Sequence, residues 1–159
     1  MDENALPKVS IVTPSFNQAP FLEQTLRSVL EQDYPNLEYI VIDGGSSDGS
    51  LEIIQKYADR LAYWQSQPDQ GQTDAINQGF ARASGEILAW LNSDDLLLPG
   101  AVSVAVRALH EHPEAAMVYG DALLINAEGK TIGKFPAAQT DYRKLRRGYV
   151  HIPQQASFF

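Results

Sequence analysis

Three short apolar runs, each followed by a polar loop and then by a helix-type repeat, constrain this chain more than any other feature. They are KVSIVTP (Lys8 to Pro14), LEYIVID (Leu37 to Asp43) and EILAWL (Glu86 to Leu91). Runs this short, apolar at successive positions, suit strands covered on both faces rather than half-exposed ones. Between them the apolar spacing changes to that of helices. Leu22, Leu26, Val29 and Leu30 fall at i, i+4, i+7 and i+8 behind Pro20, which suits a first helical turn. Leu51, Ile54 and Ala58 mark a second helix, Ile76 and Phe80 a third over Thr73 to Ala83, and Val102, Val106 and Leu109 a fourth opened by Pro99-Gly100. Leu61 to Gln65 and Met117 to Tyr119 read as further strands. Ala122 to Asn126 and Thr131 to Phe135 read as a hairpin across Ala127-Glu128-Gly129-Lys130. The alternation predicts an α/β fold: a mostly parallel, doubly wound sheet flanked by helices, with a late antiparallel hairpin. A length of 159 residues suits a single domain.

In open sheets of this kind, ligands bind outside the carboxyl ends of the strands. The polar residues cluster at those ends. After the fourth predicted strand comes Asn92-Ser93-Asp94-Asp95, whose aspartates place hard oxygens near the backbone, as Mg²⁺ or Mn²⁺ requires. A metal there could be shared with a diphosphate; helix capping by Asp94 or Asp95 is the plainer alternative. After the second strand, Asp43 stands where it can accept hydrogen bonds from a base or ribose. Gly44 and Gly45 let a ligand approach closely, and Asp48 suits a helix cap. After the first strand, Thr13, Pro14, Ser15, Phe16 and Asn17 form either a nucleobase contact or an ordinary strand-to-helix turn. Asp74 and Asn77 open the third helix and can face the crevice, although an acid in a first turn is also favoured by the helix dipole. His151 lies in a polar stretch with Gln154 and Gln155 and is a weaker candidate, since a lone histidine is more often structural than catalytic. Trp64 and Trp90 are expected in core and rim.

Composition removes several classes. Twenty acids against 12 basic residues give a formal charge of −8, which disfavours a nucleic-acid partner. The one basic cluster, Arg143 to Arg147, is short and suits an acceptor or peripheral contact with a membrane surface. There is no cysteine, so thiolate metal sites and thiol catalysis are excluded. The stretch from Leu96 to Leu109 is broken by Pro99, Gly100, Ser103 and Arg107 and is no membrane span. Met1 to Lys8 has no apolar core, so a cytoplasmic location is the default expectation. Neither G-x-G-x-x-G nor G-x-x-x-x-G-K-[ST] occurs, which leaves dinucleotide and P-loop binding without support. A nucleotidyltransferase would need a glycine-rich basic loop where TPSFNQAP stands, and a receiver-type domain would need a lysine near its last strand.

Taken in order, VSIVTPSFN (Val9 to Asn17), LRSVLEQDYPNLEYIVIDGGSSDGS (Leu26 to Ser50), DAINQGFARASGEILAWLNSDD (Asp74 to Asp95) and Pro99-Gly100 resemble family 2 glycosyltransferases over about the first 100 residues. The resemblance implies a GT-A fold and an inverting transfer of a sugar from a nucleotide diphospho-sugar, most often UDP-linked, to the hydroxyl of a saccharide or lipid-linked saccharide. It implies nucleoside contacts from Thr13, Pro14, Ser15, Phe16, Asn17, Asp43, Gly45, Asp74, Asn92 and Ser93, with Asp94 on Mn²⁺ or Mg²⁺ and Asp95 in reserve. Two positions depart from the family pattern. Asn92 stands at the first acidic position of the D-x-D motif, and Gly44 stands where many members have a second Asp. The family's general base is a carboxylate expected beyond Phe159, after the segment IPQQASFF, so truncation before the acceptor region is expected and no catalytic base is assigned. The alternative expectation is a donor-binding fragment, or a non-catalytic remnant, without that base.

Overall fold

The computed structural model describes residues 6–149 and 151–159. Its centre is a four-stranded parallel sheet in the order β3-β2-β1-β4, built from β1 (Val9–Ser15), β2 (Leu37–Asp43), β3 (Tyr63–Ser66) and β4 (Ile87–Trp90). β1 is buried along its whole length, its polar Ser10, Thr13 and Ser15 included, as a strand covered on both faces requires. Side chains that alternate along the strands enter two different cores. Ile11, Tyr39 and Val41 pack with Leu22, Leu26 and Val29 of α1 (Ala19–Leu30), Ile54 of α2 (Ser50–Lys56), and Val102 and Val106 of α4 (Ala101–Glu111). Val12, Ile40 and Ile42 point the other way, onto Ala75 of α3 (Gln72–Phe80). The sheet is therefore doubly wound, with three helices on one face and one on the other. Each fully buried Leu or Val in these layers is worth about 1.5–3 kcal/mol.

α3 lies unusually close to the sheet because Gly79 faces Val12. A Cβ at position 79 would fall 2.3 Å from Val12 Cγ1. On the same face, Trp90 sits edge-on to Phe80 and Phe159, an aromatic cluster rather than a sugar platform.

The later residues differ from the expectation in detail. The hairpin forms between β6 (Ala122–Ile125) and β7 (Thr131–Phe135), with a register shift at Leu124/Ile125, but as a separate two-stranded sheet. What joins the main sheet is the chain's last segment. β8 (Ser157–Phe158) pairs antiparallel with β5 (Val118–Tyr119), and Phe159 exchanges backbone hydrogen bonds with Leu88 on the outer edge of β4. A short helix not anticipated from the apolar spacing, α5 (Tyr142–Arg146), is capped by Asp141, whose carboxylate accepts from the Lys144 amide. No described helix is long and apolar enough to cross a membrane.

Candidate functional site

The ends of β1, β2 and β4 meet at one edge and enclose a crevice of about 760 Å³. Of the expected site residues, Pro14, Ser15, Phe16, Gly45, Asn92, Ser93 and Asp94 line it. The Ser15 hydroxyl is buried on this edge with no hydrogen-bond partner among the described residues. An orphaned buried hydroxyl costs free energy unless a water or a ligand supplies a partner. Phe16 is 61% exposed, a large apolar ring held out over the opening.

Other expected residues stand behind the wall and shape it. Asp43 is fully buried, and its carboxylate accepts from the Gly45 amide (3.2 Å), the Ser46 amide (2.9 Å), and the hydroxyls of Ser46 (2.5 Å) and Ser66 (2.6 Å). It folds the Gly44–Ser47 turn over itself; Gly45, at φ 81°, takes the left-handed conformation this turn needs. Thr13 is buried against the Tyr39 hydroxyl at 2.8 Å, and burial raises the proton affinity of that phenol, only partly opposed by the Thr13 contact. Asn17, at φ 52°, stitches two loops together: its amide donates to Ser46 Oγ and its side-chain oxygen accepts from the Ser47 amide. Asp48 serves two helix starts, accepting from Ala19 of α1 and from Ser50 of α2. The carboxylate of Asp74 accepts from the Gln70 amide and the Gln78 side chain, closing the start of α3. His151 is exposed and is not among the crevice residues.

The Asn92–Asp95 loop is anchored from beneath. The Thr25 hydroxyl, buried in α1, lies 2.9 Å from the carbonyls of both Ser93 and Asp95, and the Asp95 amide closes a turn onto Asn92 O. Asp94 projects into the crevice, exposed, and its carboxylate makes no hydrogen bond or ion pair among the described residues. Asp95 turns away. It is half-buried, accepts from the Asn92 side chain at 3.2 Å, and faces a separate apolar groove of about 390 Å³ between α4 and the strands that follow it. Burial and the charge of Asp94 hold the Asp95 carboxyl above its ordinary value, with the Asn92 hydrogen bond opposing them. The apolar groove gathers few polar groups, whereas the crevice collects the three strand-end loops, and chemistry belongs with the latter.

Asp69 and Gln72 also line the crevice and were not among the site residues expected from the sequence. Asp69 lies in the turn-rich segment after β3, and its carboxylate occupies the space beside Gly44: a Cβ there would be 2.9 Å from Asp69 Oδ2. The acid missing at position 44 thus has a counterpart arriving from across the crevice. Gln72, the first residue of α3, donates to Asn92 Oδ1 at 2.8 Å. The signal for both was the density of hydrogen-bonding residues around Gly71.

For a divalent cation, Asp94 is the expected carboxylate that faces the crevice, whereas Asp95, expected as its reserve, turns toward the apolar groove and is hydrogen-bonded to Asn92. No group of three or more acidic, His or Cys side chains suited to holding a metal occurs among the described residues. One open carboxylate fits Mg²⁺ or Mn²⁺ whose shell is completed by substrate phosphates, rather than a closed protein cage.

Comparisons with known proteins agree with this architecture. A profile of the family described as Glycosyl transferase family 2 matches residues 10–156. An uncharacterized glycosyltransferase of Mycobacterium tuberculosis is 40% identical over 157 residues, which cover 96% of this chain and 58% of that relative's length. A mannosyltransferase from Pyrobaculum calidifontis, solved with GDP-Man and Mn²⁺, matches with a TM-score of 0.63 at 28% identity, over 79% of this chain and 37% of its own. S. aureus TarS 1-349 in complex with UDP-GlcNAc matches with a TM-score of 0.61 at 25% identity, over 74% of this chain and 34% of its own. The sheet and its flanking helices are those of a GT-A glycosyltransferase. With the profile running from β1 to the last turn before β8, the chain belongs to glycosyltransferase family 2.

Proposed function

We propose that the crevice binds the nucleoside diphosphate of a sugar nucleotide, and that the chain is the donor-binding part of an inverting, metal-assisted glycosyltransferase. The observation that carries this reading is the open carboxylate of Asp94 in a crevice whose wall also holds the unpartnered Ser15 hydroxyl. Ser15 hydrogen-bonds the nucleoside, Phe16 lies against its apolar face, and Asp69 accepts from a base or ribose donor. Asp43 acts through the turn it folds, and Asn92 offers a neutral oxygen to the ribose. Asp94, with Asp95 as its neighbour in reserve, holds Mn²⁺ or Mg²⁺ against the diphosphate. The metal, when bound, supplies Lewis-acid charge to the leaving diphosphate. In the transfer, an acceptor hydroxyl gives up its proton to a general base and forms a bond to the anomeric carbon as the carbon–oxygen bond to the departing diphosphate breaks on the opposite side; the residues named here serve the leaving-group side, and none of them is assigned as that base. UDP is the favoured carrier; the two solved relatives hold a UDP-sugar and a GDP-sugar respectively.

Calorimetric titration of UDP, GDP, CDP and dTDP, each with and without Mn²⁺, tests the proposal. Mn²⁺ is expected to tighten UDP binding. Asp94→Asn is expected to abolish the metal-dependent part, because it removes the open charge. Asn92→Ala weakens binding by about 1 kcal/mol, one hydrogen bond's worth. A wild-type chain that binds no nucleoside diphosphate with either metal sinks the reading, and loss of metal dependence on Asp95→Asn alone moves the metal assignment by one residue.

A further inference from the structure

The asparagine that replaces the first acid of the D-x-D motif is held by a chain of hydrogen bonds that fixes its orientation. Gln154 Nε2 donates to the carbonyl of Trp90 at 2.6 Å, at the end of β4. That contact requires a donor, so Gln154 must turn its oxygen the other way, where it lies 3.1 Å from Asn92 Nδ2. Asn92 Nδ2 also faces Asp95 Oδ2 at 3.2 Å. Both amide protons of Asn92 are thereby used, and its Oδ1 is directed to the Gln72 side chain on the crevice wall. A carboxylate at position 92 would set oxygen against oxygen at Gln154 and at Asp95. The departure from the family motif is therefore matched by a glutamine 62 positions away in the sequence.

We infer that Gln154 and Gln72 are positioning residues of the donor site. They hold the Asn92 amide with its protons toward Asp95 and the tail, keep Asp95 occupied, and leave Asp94 as the carboxylate free to meet a metal–diphosphate. The segment running from His151 to Phe159 thus does more than seal the β4 edge: through Gln154 it sets the loop on which the diphosphate rests. This rests on the donor-site reading above, and deepens it by naming the residues that arrange the site without touching the reacting atoms.

The test is a double-mutant cycle read by calorimetric titration of UDP in the presence of Mn²⁺. Gln154→Leu removes both hydrogen bonds at nearly constant volume and is expected to weaken Mn²⁺-dependent UDP binding about five- to tenfold in the wild-type background. In the Asn92→Ala background the same substitution is expected to change affinity less than twofold, because Gln154 acts through Asn92. Equal losses in the two backgrounds, which a merely structural role would give, overturn the inference. Gln154→Met, which likewise removes both hydrogen bonds, is expected to show the same background-dependent loss and serves if the leucine variant does not fold. The Asn92 side-chain amide gives a readout independent of any ligand: its protons are expected to exchange slowly by NMR in the wild type and rapidly in Gln154→Leu. Slow exchange with no UDP binding at all would overturn the donor-site reading while leaving the hydrogen-bond chain in place. Rapid exchange in the wild type overturns the chain itself.

Discussion

Asp95 is a carboxylate held against its preference. Burial and the neighbouring charge of Asp94 keep its proton affinity above the ordinary range. A carboxyl that binds its proton more tightly folded than unfolded takes up protons on folding. Stability therefore falls as pH rises from the ordinary Asp value of about 3.9 through the raised folded value, and stays lower above it. Asp95→Asn keeps an oxygen for the Asn92 side chain but removes the charge. It is expected to raise the melting temperature of the ligand-free protein at neutral pH and to give no gain once pH is below the unfolded value; thermal scans at the two ends of that range check this, and a pH-independent difference counts against it. Asp69 makes a different case, since the role proposed for it is to accept from the ligand rather than to hold a metal. Asp69→Asn is expected to weaken UDP binding by about 1–2 kcal/mol to the same extent with and without Mn²⁺, whereas Asp94→Asn acts on the metal-dependent part. Titrations of the two variants side by side separate the roles, and a selective loss of metal dependence at Asp69 would merge them.

At the level of elements, the contact of α3 with β1 is the tightest fit in the fold. Gly79→Ala is expected to destabilise the protein by about 1–2 kcal/mol, the strain of overpacking reduced by the better helix propensity of alanine. The new methyl meets both Cγ atoms of Val12, a stiff β-branched side chain with no exposed surface. Chemical denaturation reads the change, and a neutral or stabilised variant would show that α3 can slide outward. The elements themselves were largely legible in the sequence, because β1, β2 and β4 are largely apolar and α1 and α4 keep one apolar stripe. Three strand ends therefore marked the crevice, and Pro14, Ser15, Phe16, Gly45, Asn92, Ser93 and Asp94 line it. What spacing did not reveal was the direction of side chains within those loops. Asp43, Asn17 and Asp74 are polar residues at the right addresses whose hydrogen bonds are spent on the loops, and nothing in a one-dimensional pattern separates them from Asp94. Asp69 and Gln154 were hidden for another reason: each reaches the site from a segment with no apolar period, placed there only by tertiary contacts.

Over the whole molecule, a formal charge of −8 opposes any approaching diphosphate. Raising salt from about 20 to about 200 mM shortens the screening length, so metal-free UDP binding is expected to tighten with salt; weakening would point to a basic contact not named here. The same charge predicts no submicromolar binding to RNA or DNA, measurable by fluorescence anisotropy. One feature of the sheet also has a meaning in time. β4 is joined to the centre of the fold through β1, yet its outer edge is closed by the segment ending at Phe159, and Gln154 reaches the Trp90 carbonyl across 64 positions of sequence. A ribosome releases these in order. Ile87 to Trp90 emerge early, an apolar strand with one bare row of amides and carbonyls, the kind of edge that recruits other strands. Until Phe159 has cleared the exit tunnel that edge stays open, and the loop that would carry the diphosphate has no glutamine to set it. An earlier-made strand of this chain is thus closed by a segment made later.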